Sequence, residues 1–195
     1  DNYPYPTFNR QYYESNDLIA TISKVTDDIV KTVAPSVKSQ YIPHAVNSEI
    51  FAPVENESGI EEFKKSVFGD YYDPDKFIFF WNNRNARRKQ SGSLLFWFKE
   101  FLDKVGHDKA SLVMHTEVKD PNGQDLEAII NHLGLTDGQV LFSQQKVDLR
   151  RLALMYNMAD CTINISDAEG FGLATLESLS CATPIIVNMT GGLQE

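Results

Sequence analysis

The sequence predicts an α/β protein with a doubly wound, Rossmann-like parallel sheet, and three observations predict it. Short, mostly apolar runs alternate with longer amphipathic segments along nearly the whole chain. The runs are close to continuously apolar rather than alternating, as strands buried on both faces must be. Ser, Asp, Gly and Pro fall between them, where helices start and stop. Such an order builds a parallel sheet covered by helices on both faces, with right-handed crossovers.

Leu18-Ile-Ala-Thr-Ile22 is the first predicted strand, and Ser23 can cap a helix running through Val33 to a stop near Pro35. Ser39–Ile42 is a second strand, ended by Pro43. The acidic stretch Ala52–Gly59 reads as a connection and is followed by a helix from Ile60 to Phe68. Next come strand Lys76–Trp81, helix Gly92–Val105, strand Ala110–His115 and helix Gln124–Leu133. Strand Val140–Ser143, helix Asp148–Asn157, strand Cys161–Ile165, helix Gly172–Cys181 and strand Ile185–Met189 complete the series. The densest apolar stretch, Leu94–Leu102, is broken by charge and too short to cross a bilayer, so it predicts a buried helix.

A formal net charge of −9 argues against nucleic acid or an anionic membrane as the main partner, since both select basic patches. The N-terminus, Asp1-Asn-Tyr-Pro-Tyr-Pro, does not read as a signal peptide, and a soluble, cytoplasmic protein is expected. Cys161 and Cys181 form no redox or metal motif and read as small core residues. No His, Cys or acid cluster has metal-ligand spacing, so no metal is expected. His115-Thr-Glu117 lacks the Pro-Cys-x-x-Cys partner of a deaminase zinc site. The aromatic start (Tyr3, Tyr5, Phe8, Tyr12, Tyr13) reads as packing of a terminal segment rather than as an acceptor cleft.

The chemistry concentrates in Glu169-Gly-Phe-Gly-Leu-Ala-Thr-Leu-Glu177 and Thr190-Gly-Gly-Leu-Gln-Glu195. Two carboxylates flank a Gly-x-Gly turn that opens a helix, whose N-terminus offers backbone N–H groups and a positive dipole end. Carboxylates accept sugar hydroxyls, while the helix end suits an anion. Together they suggest a nucleotide-sugar. The segment resembles the E-x7-E signature of retaining GT-B glycosyltransferases of the family 4 type (glycosyl transferases group 1). The likeness continues through Ser178-Leu-Ser-Cys-Ala-Thr-Pro184, where the family usually has Glu-Ala-(Leu/Met)-Ala-x-Gly-Thr-Pro, and through the Gly191-Gly192…Glu195 loop.

Two further segments carry the resemblance. Asn82-Asn-Arg-Asn-Ala-Arg-Arg-Lys-Gln90 holds four cations within six residues, directly after a strand where α/β sheets bind ligands. It reads either as a solvated basic loop paired with surface carboxylates or as a diphosphate clamp. The loop is similar to the family's Gly-Arg-x(4–5)-Lys-Gly element, with Arg84 and Lys89 in place by spacing and Arg88 able to substitute for either. Asn83 and Gln90 stand where the glycines would be, so the loop is expected to differ in detail. Ile42-Pro-His-Ala-Val-Asn-Ser-Glu-Ile-Phe-Ala-Pro53 resembles the family's interdomain junction, with Ala45 and Asn47 in place of its Gly and Asp.

The resemblance implies the donor-binding half of a GT-B fold. Residues 1–43 would be the tail of an N-terminal, acceptor-side domain, otherwise missing, and residues 44–195 most of the donor-binding domain, truncated at its C-terminal end. It implies a retaining transferase moving a hexose from a UDP-, GDP- or ADP-sugar co-substrate to a glycan or lipid-linked acceptor in glycan biosynthesis, with no cofactor. Glu177 would accept the ribose hydroxyls and Glu169 would face the transferred sugar. Gly170, Phe171, Gly172 and Leu173 would approach the donor by backbone, while Arg84 and Lys89 would hold its diphosphate. A non-catalytic nucleotide-sugar-binding or scaffold module is the alternative. A dinucleotide-dependent oxidoreductase would need glycines after Trp81, where Asn82-Asn-Arg84 stands.

Overall fold

A computed structural model describes residues 5–195, so the expectation for Tyr3 lies outside the described residues. The chain forms two compact units. The first takes the described residues up to Ala45 together with Ala168–Leu173 and Asn188–Glu195; the second takes Val46–Asp167 and Ala174–Val187.

In the first unit, α1 (Arg10–Glu14) precedes β1 (Leu18–Thr21), α2 (Lys24–Val33) and β2 (Lys38–Tyr41). β1 and β2 pair in parallel, Leu18 against Lys38 through Thr21 against Tyr41. Ser23 caps α2 as expected, its hydroxyl accepting from the Thr26 N–H at 3.2 Å. A second anchor was not legible in the sequence. The Glu195 carboxylate accepts from the Lys24 N–H at the start of α2 and from the Tyr41 hydroxyl at 2.8 Å.

The second unit holds α3 (Glu57–Phe68), β3 (Phe77–Asn82), α4 (Ser91–Val105), β4 (Ala110–His115) and α5 (Leu126–Leu133). It continues with β5 (Val140–Ser143), α6 (Leu149–Met158), β6 (Cys161–Asn164), α7 (Leu173–Ser180, from Ala174 on) and β7 (Ile185–Val187). The five strands form one parallel sheet in the order β5-β4-β3-β6-β7. Strand order reverses at β3, so β3 and β6 flank the crevice where such sheets take ligands.

Alternate residues of β3 supply two separate cores, as the pleat requires. Phe79 and Trp81 join Leu95, Leu102, Leu112, Met114 and Leu126 under α4 and α5. Ile78 and Phe80 join Phe51, Phe68, Val113, Tyr156 and Cys181 on the other face, with α3 and α6. This is the doubly wound arrangement the sequence predicts.

Three local expectations need correction. α3 begins inside the expected connection, at Glu57, because the Asn56 side chain accepts from the Gly59 N–H at 3.1 Å and caps it. α5 begins at Leu126 rather than Gln124, since Asp125 caps Ala128 at 3.0 Å. α4 is not a buried helix. Leu94, Leu95, Phe98 and Leu102 lie inward at helical spacing, but Phe96 and Trp97 are 52% and 54% exposed.

Candidate functional site

The cation loop follows β3 at the C-terminal sheet edge, and Asn85 builds it. This side chain is fully buried and makes four hydrogen bonds. Its amide donates to the carbonyls of Val118 (3.2 Å) and Gln124 (2.7 Å). Its oxygen accepts from the Ser91 hydroxyl (2.8 Å) and the Gln124 N–H (3.2 Å). The Arg87 N–H also donates to the Asn122 carbonyl at 3.0 Å. Gly123 permits this approach, because a Cβ there would come within 2.2 Å of the Asn85 carbonyl oxygen. The loop is thus bolted to the 118–124 turn by the Asn85 side chain and the Arg87 N–H.

Its cations differ in setting. Arg84, Arg87 and Arg88 are exposed, whereas Lys89 is buried. Arg84 grips Asp120 through two nitrogens, Nε at 2.7 Å and Nη2 at 3.2 Å. The Asp120 carboxyl lies below its ordinary range, first through the Arg84 hydrogen bond and then through the Asn122 N–H. Part of the paired-surface reading of this loop therefore holds for Arg84. Its Nη1 group remains as a further donor pair. A cavity of about 340 Å³ opens here, lined by Asn83, Arg84, Thr116, Glu117 and Asp120. Asn83 Nδ2 and Thr116 Oγ1 are buried without a hydrogen-bond partner among the described residues.

Gln90 stands where the family has glycine. Its backbone is left-handed (φ 57°, ψ 33°), the conformation glycine favours. The side chain is tied down instead: its amide donates to Asp167, and its oxygen accepts from the Ser93 hydroxyl at 2.7 Å. Ala182, at the family's Gly-Thr-Pro glycine, is also left-handed (φ 58°). Ala45 and Asn83 are not.

Glu177 is the fifth residue of α7 and is partly buried. One carboxylate oxygen accepts from the Tyr156 hydroxyl at 2.6 Å, and the Asn82 amide donates to that hydroxyl at 2.9 Å. Burial pushes the Glu177 pKa up, and the Tyr156 hydrogen bond pulls it partly back. α7 docks on β6 through polar contacts: Ser178 donates to the Thr162 hydroxyl at 2.8 Å, and Asn164 donates to Thr175 at 3.4 Å. Thr175 is therefore a packing residue. Since Asn82 ends β3, Glu177 stands beside the strand from which the cation loop departs. The Asp167 N–H, beyond β6, donates to the Arg88 carbonyl of that loop at 2.8 Å.

Arg84, Lys89 and Glu177 thus share the second unit, whereas Glu169, Gly170, Phe171, Gly172 and Leu173 belong to the first. There the Phe171 ring meets His44 edge-on, with centroids 5.3 Å apart. Gly172 has φ 88°, which only glycine adopts without strain. Gly170 has no such need, since a Cβ would meet only Ile22 Cδ1 at 3.4 Å. The Gly191-Gly192 pair has a reason the sequence did not reveal. A Cβ on Gly191 would lie 1.6 Å from the Glu169 carbonyl oxygen, and the Gly192 N–H donates to the Gly170 carbonyl at 3.2 Å. The two glycines let the 190–195 turn lie directly against the 169–171 backbone.

Among the described residues no group of His, Cys, Asp or Glu is placed to hold a metal ion. Likewise no helix among them is long and apolar enough to cross a membrane. Sequence reasoning missed Asn85, Tyr156 and Asp120. For Asn85 and Asp120 the one visible signal is composition, since Asn82-Asn-Arg-Asn85 and Pro121-Asn-Gly-Gln124 are two polar turns, and Tyr156 has none.

This chain belongs to the glycosyl transferases group 1 family, whose profile matches residues 68–195. It is 35% identical over 71 residues to a D-inositol 3-phosphate glycosyltransferase of Xylanimonas cellulosilytica, a match covering 36% of this chain and 16% of that protein. The corresponding enzyme of Acidothermus cellulolyticus is 38% identical over 68 residues, covering 35% of this chain and 15% of that one. The fold is that of sucrose-phosphate synthase from Thermosynechococcus elongatus (TM-score 0.78, 24% identity, 95% of this chain and 44% of that one). It is equally that of Anabaena HepE, solved in complex with UDP and glucose (TM-score 0.77, 14% identity, 98% and 51%). The chain spans about half the length of these solved relatives. The class is thus a glycosyl transferases group 1 protein whose five-stranded parallel sheet has the α/β fold of GT-B glycosyltransferase domains.

Proposed function

We propose that this chain carries the donor-binding part of a retaining hexosyltransferase that uses a nucleotide diphosphate sugar. The observation that carries the reading is the pairing at one sheet edge of a cation loop with a partly buried carboxylate that faces a hydroxyl and no cation. Phosphate needs the first and ribose hydroxyls suit the second. In the second unit, Glu177 takes the ribose hydroxyls, while Arg84 and Lys89 hold the diphosphate. They offset the charge that develops on the leaving group as the glycosidic bond breaks. In the first unit, Glu169 faces the sugar, supported by backbone N–H groups of Phe171, Gly172 and Leu173. Gly170, which protein packing does not require, fits close approach of a ligand.

On this reading residues 1–43 belong with an acceptor-side domain and 44–195 with the donor side. A glycan or lipid-linked acceptor binds mainly in the former, and no metal or cofactor takes part. The free, buried thiols of Cys161 and Cys181 fit a cytoplasmic setting. Calorimetry of this chain against UDP-, GDP- and ADP-hexoses tests the reading. Binding of one of the three, lost on Lys89→Ala, is the expected result. Absence of binding by all three, or binding indifferent to Lys89, would contradict it.

A further inference from the structure

Tyr156 lies in the core of the second unit, fully buried and edge-on to Phe80 and Phe51 at centroid separations of 5.1 and 6.1 Å. Phenylalanine would meet those packing needs as well. The hydroxyl is the part that packing does not explain. It sits between two polar side chains from different elements, accepting from Asn82 at the end of β3 and donating to Glu177 on α7. With the amide donating to its oxygen, the hydroxyl proton is directed at the carboxylate.

Glu177 differs from Asp120 at this edge. Asp120 is neutralised by a guanidinium, whereas the groups facing Glu177 are Tyr156 on α6, Cys181 just past the end of α7 and, through the phenol, Asn82. Burial and the nearby carboxylate push the Cys181 thiol up to about 11, and burial raises the Tyr156 phenol as well. Both stay neutral at ordinary pH. A carboxylate held by neutral donors keeps its charge for other hydroxyls, and only one of its oxygens is occupied by Tyr156.

We propose that Tyr156, itself oriented by Asn82, is a positioning residue: its hydroxyl fixes one oxygen of Glu177 and leaves the other directed at the ribose hydroxyls of the nucleotide. This rests on the donor-binding reading above and assigns that site a residue from the neighbouring helix α6. The relay acts on binding of the nucleoside part, not on the diphosphate.

Tyr156→Phe removes the hydroxyl and keeps the ring. Two readouts follow it in the intact chain. The first is the Glu177 carboxyl titration, followed by carbon-13 NMR without ligand, which should move to higher pH as the stabilising donor is lost. A merely structural tyrosine would lower Tm and leave that titration in place. The second is calorimetry with UDP, GDP and ADP at neutral pH, in which affinity should fall about tenfold. In a Glu177→Gln background the same change should cost much less. If Tyr156→Phe does not fold, Asn82→Ala tests the same relay, with smaller shifts in the same directions. An unmoved Glu177 titration overturns the relay, as does unchanged affinity in a protein where Glu177→Gln does weaken the nucleotide. If Glu177→Gln itself costs nothing, the donor-site assignment of Glu177 falls with it, and that outcome is distinguishable from the first two.

Discussion

Glu177 stands on a helix and is fixed through its own side chain, whereas Arg84, Arg87, Arg88 and Lys89 stand on a loop fixed through a different residue, Asn85. The acid is held by a phenol and an amide reaching across from α6 and β3. The cation loop is held by Asn85 and the 118–124 turn, which leaves its charged ends to find their own partners. The difference fits the proposed roles. On that reading, a short carboxylate that presents one oxygen to a ribose needs its orientation set in advance. Cations that meet a diphosphate need a fixed base, with Arg84, Arg87 and Arg88 exposed on it and Lys89 buried.

The largest expected effect comes from removing the base of the loop. Asn85→Ala leaves buried carbonyl and N–H groups unpaired and should cost about 3 kcal/mol, on the order of 10 °C in Tm. Calorimetric melting checks it, and diphosphate affinity should drop in parallel. A change under about 1 kcal/mol would mean the loop is held elsewhere. Removing one tip is milder for the fold. Arg84→Ala should leave Tm nearly unchanged and weaken a nucleoside diphosphate about tenfold, measured by titration calorimetry.

Glu177 gives the comparison a pH dependence. Its folded pKa is raised by burial, so the folded state favours the protonated form. Its contribution to stability is therefore full below its unfolded pKa and lost as pH rises through the folded one. Glu177→Gln should melt higher than the parent at neutral pH, with a gap that closes as the pH falls below both values. Melting curves along a pH series decide it. A gap that widens toward acid would reverse the sign.

The smallest effects concern the two left-handed residues that stand where the family has glycine. Ala182→Gly should stabilise by about 1 kcal/mol, because nothing in the alanine side chain compensates the strained φ. Gln90→Gly should come out near zero, since relief of strain is offset by loss of the bonds to Asp167 and Ser93. Urea unfolding of both variants separates the two positions.

Much of this was legible beforehand, for identifiable reasons. Strands buried on both faces must be continuously apolar, so β3, β4 and β6 announce themselves, and Ser23 marks a helix start by a contact three residues away. Glu169, Glu177, Arg84 and Lys89 stood out because the chemistry they suggest depends on local spacing. Asn85 with Gln124, and Tyr156 with Glu177, did not. Those contacts join residues 39 and 21 positions apart, and no local pattern encodes them. The exposed aromatic side of α4 was misjudged because apolar density does not reveal which face of a helix is covered.

The most direct measurement compares a nucleoside with its diphosphate on two variants, for instance uridine and UDP, or guanosine and GDP, by calorimetry. Glu177→Gln should weaken both ligands of a pair by the same factor, since its proposed partner is the ribose. Lys89→Ala should weaken only the diphosphate. Loss of nucleoside binding on Lys89→Ala, or nucleoside binding untouched by Glu177→Gln, would contradict the division of labour between the helix and the loop.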